Sequence, residues 1–179
     1  RRIGPAMTQA ILDAVEGGVW VRRPPGPKRA AALAPYAPPN RALGCANGTD
    51  ALALPLMAWG IGPGDAVFVP SFTFAATAEV VPWFGAEPVF VDVEAETYNM
   101  DPARLEAAIE AILAEGRLTP KVVIAVDLFG QPADYLALRA VCDRFGLKLI
   151  SDSAQGFGCT IGGEHPLKWA DITTTSFFP

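Results

Sequence analysis

The chain has 179 residues, of which 51% are hydrophobic and 18% charged, enough apolar sequence to bury the core of one globular domain. Its net charge of -5 disfavours a nucleic-acid partner, because binding a phosphate backbone requires a basic surface. No apolar run reaches the ~18 residues of a membrane span, so we expect neither membrane insertion nor a membrane partner.

The first 40 residues predict a helix followed by a linker. Apolar residues recur at helical spacing over residues 3–15, and a glycine pair ends that pattern. Over residues 22–39, prolines and basic residues crowd together without a period, which is typical of a linker. We therefore divide the chain into an N-terminal helix and linker, residues 1–40, and a larger domain, residues 41–179.

From Arg41 onward, short apolar runs alternate with helix-length segments, which predicts an α/β fold with a mostly parallel sheet between helices. The predicted strands are residues 42–46, 66–69, 88–91, 122–126, 147–150 and 172–175. The predicted helices are residues 49–59, 75–84, 102–114 and 134–145. Asp101 is a typical helix cap, whereas Pro55 and Pro82 should kink or shorten their helices.

A turn between a predicted strand and helix, Asn47-Gly48-Thr49-Asp50, is a candidate phosphate site. Backbone N–H groups and the helix dipole favour an anion there, Gly48 allows close approach, and Thr49 offers a hydroxyl. A capped turn without any ligand has the same pattern. The turn is not G-x-G-x-x-G, so it does not indicate a dinucleotide site.

Two other strand ends offer an aromatic ring and a hydroxyl. Phe72 and Phe74 follow the strand at 66–69, where one ring could stack on a planar ligand, or both could pack between sheet and helix. Ser176 follows the last predicted strand and could bring its hydroxyl to the same edge, although a lone serine is weak evidence.

A carboxylate stands at the end of the strand predicted at 147–150. We expect that strand to deliver Asp152 to a loop at the carboxyl edge of the sheet, where open α/β sheets bind ligands. A helix cap or turn aspartate is the alternative. Together with the phosphate site, the ring and the hydroxyl, this acid suits pyridoxal phosphate, whose pyridine nitrogen needs an acidic partner.

A metal site is not expected. Cys45, Cys142 and Cys159 are odd in number and far apart, which predicts neither a disulfide framework nor a zinc site and fits a reducing cytoplasm. His165, the single histidine, is expected to be a loop residue beside Pro166.

These motifs carry a resemblance to a known family. Its matching stretches are residues 45–52, 62–65, 70–79, 88–92, 97–99, 130–134, 152–155 and 175–179. From Arg41 to its end, the chain resembles the DegT/DnrJ/EryC1/StrS sugar aminotransferases, most closely those that aminate a UDP-linked 3-keto sugar for surface polysaccharide. It departs from the family at Ser151, where an acid is usual, at Asp127, where His is common, and over residues 22–39.

The resemblance implies a fold and a site. The fold is the large domain of a fold-type I pyridoxal-phosphate transferase, a three-layer α/β/α sandwich, with the C-terminal remainder absent. The implied contacts are Gly48, Thr49, Asp50 and Ser176 with the cofactor phosphate, Phe74 with the ring face, Asp152 with the ring nitrogen, and Gln155 with the phenolic oxygen.

The family's cofactor-bearing lysine is expected two places past Pro179, so we expect the chain to be a fragment that stops before it. The lysines that the chain does carry are Lys28, in the linker, Lys121 and Lys148, at the starts of strands, and Lys168, in a loop. None is expected to be the nucleophile.

The resemblance implies amino transfer, with glutamate as the expected donor, to a nucleotide-linked keto sugar, by a cytoplasmic enzyme that is a homodimer at full length. Two alternatives stay open. One is a non-catalytic relative that binds pyridoxal phosphate or a sugar. The other is a nucleotide-binding α/β module that uses residues 47–50 for a nucleotide phosphate.

Overall fold

The computed structural model describes residues 45–176. The predicted N-terminal helix and linker, most of the strand predicted at 42–46, and Lys28 lie outside the described residues. The same is true of residues 177–179.

Five parallel strands form one sheet in the order β2-β1-β3-β4-β5. They are β1, Asp65–Pro70; β2, Glu87–Val91; β3, Thr119–Val126; β4, Lys148–Asp152; and β5, Ile172–Thr174. Each matches a predicted strand, and all four pairings are parallel. The strand order reverses between β1 and β3, which is where such sheets open a crevice for ligands at their carboxyl edge.

The strand predicted at 42–46 is wrong for the two of its residues that are described. Cys45 and Ala46 are exposed and lie outside any strand. Asn47 then turns the chain into a helix, its side-chain Oδ1 accepting the Asp50 N–H at 2.8 Å. The apolar run predicts a buried strand, but the capping of the helix by Asn47 determines the local structure here.

Within residues 45–176, four helices accompany the sheet. They are α1, Gly48–Ala58; α2, Ala76–Glu79; α3, Pro102–Glu115; and α4, Tyr135–Phe145, with short 3₁₀ turns at Pro82–Phe84, Leu128–Gly130 and Pro166–Lys168. Asp101 caps α3 as predicted, accepting the Ala103 N–H at 2.8 Å. Asp134 caps α4 by accepting the Ala137 N–H at 3.1 Å.

The two prolines act differently. The helix predicted over residues 75–84 breaks into α2 and the turn that begins at Pro82, as expected from a residue that cannot donate a backbone hydrogen bond. Helix α1 instead continues for 11 residues through Pro55, so the expected shortening does not occur. Pro55 is buried beside Leu56, and this packing offsets the missing hydrogen bond.

Apolar residues pack on both faces of the sheet. Alternate residues of a strand point to opposite faces, so Phe68, Val123 and Leu149 pack against α3 and α4 on one side. Val67, Ile124 and Ile150 pack against α1 and the α2 segment on the other. The predicted three-layer α/β/α arrangement is confirmed. None of the helices within residues 45–176 has the length and apolar character to cross a bilayer.

Candidate active site

The segments that follow the parallel strands all begin at one edge of the sheet. The start of α1 also lies there, because a Cβ placed on Gly48 would be only 2.8 Å from the Ser176 Cβ. The structure thus brings the strand-end residues and the turn before α1 to a common region, as the sequence predicted.

Asp152 is the last residue of β4 and is only 6% exposed. The prediction that it lies in a loop is wrong, because the ladder with β5 continues to the pair Asp152–Thr174. Its Oδ1 accepts the Ala154 N–H at 3.1 Å, and its Oδ2 accepts the Thr77 hydroxyl at 3.4 Å. Burial raises the pKa of Asp152 to about 6, against the opposing effect of these two donors.

Two threonines extend this contact. Thr77 is buried, and its hydroxyl oxygen also lies 3.0 Å from that of Thr73. The pair links the segment after β1 to Asp152 across the intervening strand β3. Sequence reasoning assigned Thr77 no role; its partner is 75 residues away, and no local pattern indicates such a contact.

Gly48 and Ser176 meet at the start of α1. A Gly48 Cβ would also lie 3.1 Å from the Ser176 Oγ, so any side chain at position 48 would crowd this hydroxyl. The first N–H groups of a helix have no partner within it, and Asn47 takes that of Asp50. Those of Gly48 and Thr49 are therefore placed to meet an anion.

The contacts of the Asp50 side chain favour a structural role at this turn rather than a contact with phosphate. Its Oδ2 accepts a hydrogen bond from the Asn47 Nδ2 at 3.3 Å. A carboxylate favours the positive end of the helix dipole but would repel a phosphate bound there. Asp50 thus suits the helix start, while the backbone of Gly48 and Thr49 suits an anion.

The two phenylalanines after β1 are both exposed, Phe74 at 72% and Phe72 at 50%. Neither is buried between sheet and helix, so the packing alternative is wrong. Phe72 contacts Tyr98 and Phe129, with ring centroids 5.6 and 6.4 Å away. The exposed Phe74 ring is the one whose surface a planar ligand would cover.

Gln155 has a fixed amide orientation. Its Oε1 accepts the Phe129 N–H at 2.7 Å, and Phe129 holds a left-handed backbone conformation with φ of 56°. A backbone N–H can only donate, so it selects the oxygen of the amide. The Nε2 group is consequently the part of Gln155 that would face a ligand, as a donor.

The three lysines within the described residues lie before strands or near the starts of strands. Lys148 opens β4 and its Nζ lies 3.1 Å from the Asp171 Oδ1, while Lys121 is near the start of β3. Lys168 precedes β5 and pairs with Glu164 at 3.1 Å. This agrees with the expectation that none of them serves the residues at the carboxyl edge.

Over residues 45–176, no group of His, Cys, Asp and Glu side chains is arranged to hold a metal ion. The His165 Nδ1 accepts the Leu167 N–H at 3.2 Å and so caps a short turn. That local contact matches the loop role predicted for this histidine.

Comparison with known proteins identifies the family. The model of the DegT/DnrJ/EryC1/StrS aminotransferase family matches residues 2–179. The chain belongs to this family. The resemblance that the motifs carried is confirmed.

Among curated members, the UDP-2-acetamido-2-deoxy-3-oxo-D-glucuronate aminotransferase of Pseudomonas aeruginosa is 40% identical, over 99% of this chain and 48% of its own length. The UDP-N-acetyl-3-dehydro-alpha-D-glucosamine 3-aminotransferase of Acidithiobacillus ferrooxidans is 49% identical, over 76% of this chain and 35% of its own. The chain thus spans about half or less of these relatives.

A solved structure, the PLP form of Spr1654 from Streptococcus pneumoniae, superposes with a TM-score of 0.81 at 31% identity. The match covers 99% of this chain and 47% of that one. This similarity confirms the fold predicted for a pyridoxal-phosphate transferase of the DegT/DnrJ/EryC1/StrS family.

The site residues of this family member fit pyridoxal phosphate. Within residues 45–176, no Lys or Arg pairs with the buried Asp152, which suits it to a cationic ring nitrogen. The close approach of Gly48 to Ser176 suits a phosphate, which needs backbone contacts without an intervening side chain. The donor of Gln155 suits the phenolic oxygen.

Proposed function

We propose that the protein carrying this chain is a pyridoxal-phosphate-dependent aminotransferase that acts on a nucleotide-linked keto sugar, in surface polysaccharide or amino-sugar biosynthesis. Family membership supports the reaction class. The observation that supports this site is the buried carboxylate of Asp152 at the carboxyl end of β4, which has no Lys or Arg partner among residues 45–176.

In this proposal, Asp152 holds a proton at the ring nitrogen. When bound, pyridoxal phosphate would supply an aldehyde that can carry an amino group and an electron-withdrawing ring that stabilises negative charge beside it. The Ala154 N–H and the Thr77 hydroxyl keep the Asp152 carboxylate in place. Its low exposure keeps water from competing for the ring nitrogen, which strengthens the ion pair.

The other proposed contacts orient the cofactor. The backbone N–H groups of Gly48 and Thr49, with the Ser176 hydroxyl, bind its phosphate. Asp50 is the remaining residue of that turn, and its carboxylate stays with Asn47. Phe74 covers one face of the ring.

For the substrate, we propose a UDP-linked 3-keto sugar, with glutamate as amino donor. Two relatives that are 40% and 49% identical are named for UDP-sugars with an oxo or dehydro group at carbon 3.

The test is spectroscopic and uses the full-length protein. Added pyridoxal phosphate should produce a visible absorption band, and glutamate should shift it. A UDP-linked 3-keto sugar should reverse the shift, whereas the 4-keto isomer should reverse it more slowly. A protein that produces no band is not a pyridoxal-phosphate enzyme.

The same titration separates the two alternatives. A non-catalytic relative would produce the band without the glutamate shift. A nucleotide-binding module would bind a nucleotide, measurable by calorimetry, and leave pyridoxal phosphate unbound. Either outcome would replace the aminotransferase proposal.

We also propose a cytoplasmic homodimer. Phe72, Phe74, Trp83 and Phe129 expose large apolar surfaces, which in water favour a covering partner. Sedimentation equilibrium of the protein should give twice the mass of one chain, and a monomer at micromolar concentration would contradict this.

A further inference from the structure

A second carboxylate lies buried next to Asp152 and has no part in the proposed chemistry. Asp127 directly follows β3 and is 0% exposed. Its backbone N–H donates to the Asp152 carbonyl oxygen at 3.0 Å, so the two residues are neighbours across the β3–β4 ladder. A buried charge is costly unless its oxygens accept hydrogen bonds.

Four donors surround the Asp127 carboxylate. Its Oδ1 accepts the Tyr135 hydroxyl at 2.7 Å and the Ala133 N–H at 3.3 Å. Its Oδ2 accepts the Ser153 hydroxyl and, at 3.6 Å, the Cys159 thiol. Burial raises the pKa of Asp127, and the donors oppose that rise by favouring the ionised form.

Two of these donors, Ser153 and Cys159, lie in the loop that follows Asp152. The other two lie at the start of α4 or just before it. Ser153 immediately follows Asp152, and its side chain is tied to Asp127. At the far end of the loop, a Cβ added to Gly156 would overlap the Asp127 Cβ, so the backbone rests directly on this aspartate. Gln155 lies between these two fixed points.

We propose that Asp127 is a positioning residue whose ionised side chain holds residues 153–156 in place, so that Asp152 and Gln155 face the cofactor together. The effect on the cofactor rests on the proposed function, whereas the contacts between Asp127 and residues 153–156 are seen in the structure itself. Tyr135 and the Ala133 N–H anchor Asp127 from the α4 side, which joins the loop to the helix layer.

An asparagine is a weaker partner than Asp127 in this arrangement. Both carboxylate oxygens accept hydrogen bonds, whereas an amide has one oxygen and turns an NH₂ group toward the remaining partners. An NH₂ facing the Ala133 N–H would set donor against donor, so the NH₂ must face Ser153 and Cys159, where the Ser153 hydroxyl has to turn from donor to acceptor. Asp127→Asn therefore keeps the size of the side chain but removes the charge and weakens the bonds on the Ser153 side.

Hydrogen exchange in the absence of cofactor is the first measurement. In Asp127→Asn, the Gly156 amide should exchange about tenfold faster than in wild type, since the loss of one charged hydrogen bond is of that order. The Val123 amide in β3 reports global unfolding and should change less. Asp171→Asn is the matched control, because Asp171 also contacts β4 but at its other end.

Cofactor binding is the second measurement. Asp127→Asn should raise the dissociation constant for pyridoxal phosphate about tenfold. Asp171→Asn should leave that constant and the Gly156 exchange unchanged, even where it lowers the melting temperature. Wild-type exchange at Gly156 together with wild-type affinity in Asp127→Asn would overturn the inference.

A milder variant covers the case in which Asp127→Asn does not fold. Tyr135→Phe removes one donor and leaves the other three, so it should give a smaller change with the same pattern, Gly156 affected more than Val123. Unchanged exchange in Tyr135→Phe would then overturn the inference. If the wild-type protein binds no pyridoxal phosphate, the proposed function fails, while the exchange data still decide whether Asp127 holds the loop.

Discussion

One aspartate lies at each end of strand β4, Asp171 against its amino end and Asp152 as its last residue, and the surroundings of the two differ. At the amino end, Asp171 accepts from the Lys148 Nζ at 3.1 Å, an Arg139 guanidinium nitrogen at 2.9 Å and the Leu149 N–H at 2.9 Å. Burial acts to raise the pKa of Asp171, but these donors together hold it below its usual value.

At the carboxyl end, Asp152 is more buried and its donors are neutral. Within the part of the chain that the structure describes, the Ala154 N–H and the Thr77 hydroxyl are the groups that oppose the effect of burial, and the pKa of Asp152 rises to about 6. A carboxylate that is paired with Lys or Arg side chains stabilises the fold. A carboxylate that is buried without such a partner favours the binding of a cationic ligand group. The amino end of β4 thus contacts an acid that is paired within the fold, whereas the acid at its carboxyl end suits a cationic ligand.

The largest expected effect comes from removing the charge at the carboxyl end. Asp152→Asn keeps the shape of the side chain and leaves the phosphate contacts at Gly48 and Thr49, so much of the cofactor binding should remain. A neutral amide cannot keep the ring nitrogen protonated. Single-turnover amino transfer should fall at least about a hundredfold, the equivalent of a charge-assisted bond of ~3 kcal/mol.

Asp171→Asn provides the control for that measurement. It removes a charge of the same kind from the other end of the strand and should leave single-turnover rates within about twofold of wild type. A near-wild-type rate for Asp152→Asn, or an equal loss in both variants, would erase the difference between the two ends.

Stability should respond to the same two substitutions with opposite signs. Without cofactor, a rise in the Asp152 pKa from 3.8 to about 6 corresponds to about 3 kcal/mol. Because the folded-state pKa is raised, stability is greatest below pH ~4 and is lost as pH rises toward 6. Asp152→Asn should therefore be more stable than wild type at pH 7, by up to about 3 kcal/mol.

Asp171 has a lowered pKa, so its contribution is present at neutral pH and is lost as pH falls below its usual range. Asp171→Asn should accordingly be less stable than wild type at pH 7. Urea unfolding of cofactor-free protein from pH 4 to 8 measures both trends. Destabilisation at pH 7 by both substitutions would show that Asp152 is also an ordinary structural acid.

A smaller effect is expected at the start of α1. In Gly48→Ala, the new Cβ would lie 2.8 Å from the Ser176 Cβ and must displace that residue. The affinity for pyridoxal phosphate should fall about tenfold, because one hydrogen bond to a charged phosphate is lost or lengthened. Equilibrium titration of the absorption band measures this change.

Gly62→Ala is the matched control for that substitution. A Cβ at Gly62 would meet backbone oxygens only at 3.9 and 4.0 Å, which is ordinary contact. It should leave the affinity for pyridoxal phosphate unchanged. An unchanged affinity in Gly48→Ala as well would remove this turn from the phosphate site.

The sequence predicted the elements that local patterns encode. Short apolar runs marked all five described strands, and Asp101 marked the start of α3, because strand burial and helix capping act over a few residues. The shortening expected at Pro55 does not occur, because α1 continues through this buried proline. The prediction also placed residues 45 and 46 in a strand, although they lie outside any strand and directly precede the helix cap Asn47.

Site prediction had the same limit. Asp152, Gly48 and Ser176 could be placed at one edge from their positions after strands or before a helix. The buried hydrogen bonds could not be foreseen: Asp127 binds Ser153 across 26 residues, and Thr77 binds Asp152 across 75. Only the fold sets such distances.

The smallest effect is expected at Gln155, which lies three residues past Asp152. Gln155→Ala removes one neutral hydrogen bond to the cofactor, worth about 1 kcal/mol, so the affinity and the single-turnover rate should each fall no more than about fivefold. Gln155→Glu tests how the residue acts, because it keeps an oxygen for the Phe129 N–H, now at 2.7 Å, but has no Nε2 donor. If Gln155 serves as a donor to the phenolic oxygen, Glu should lose at least as much as Ala. Wild-type behaviour of Gln155→Glu would mean that the residue serves only to hold Phe129, and its place in the site would have to be withdrawn.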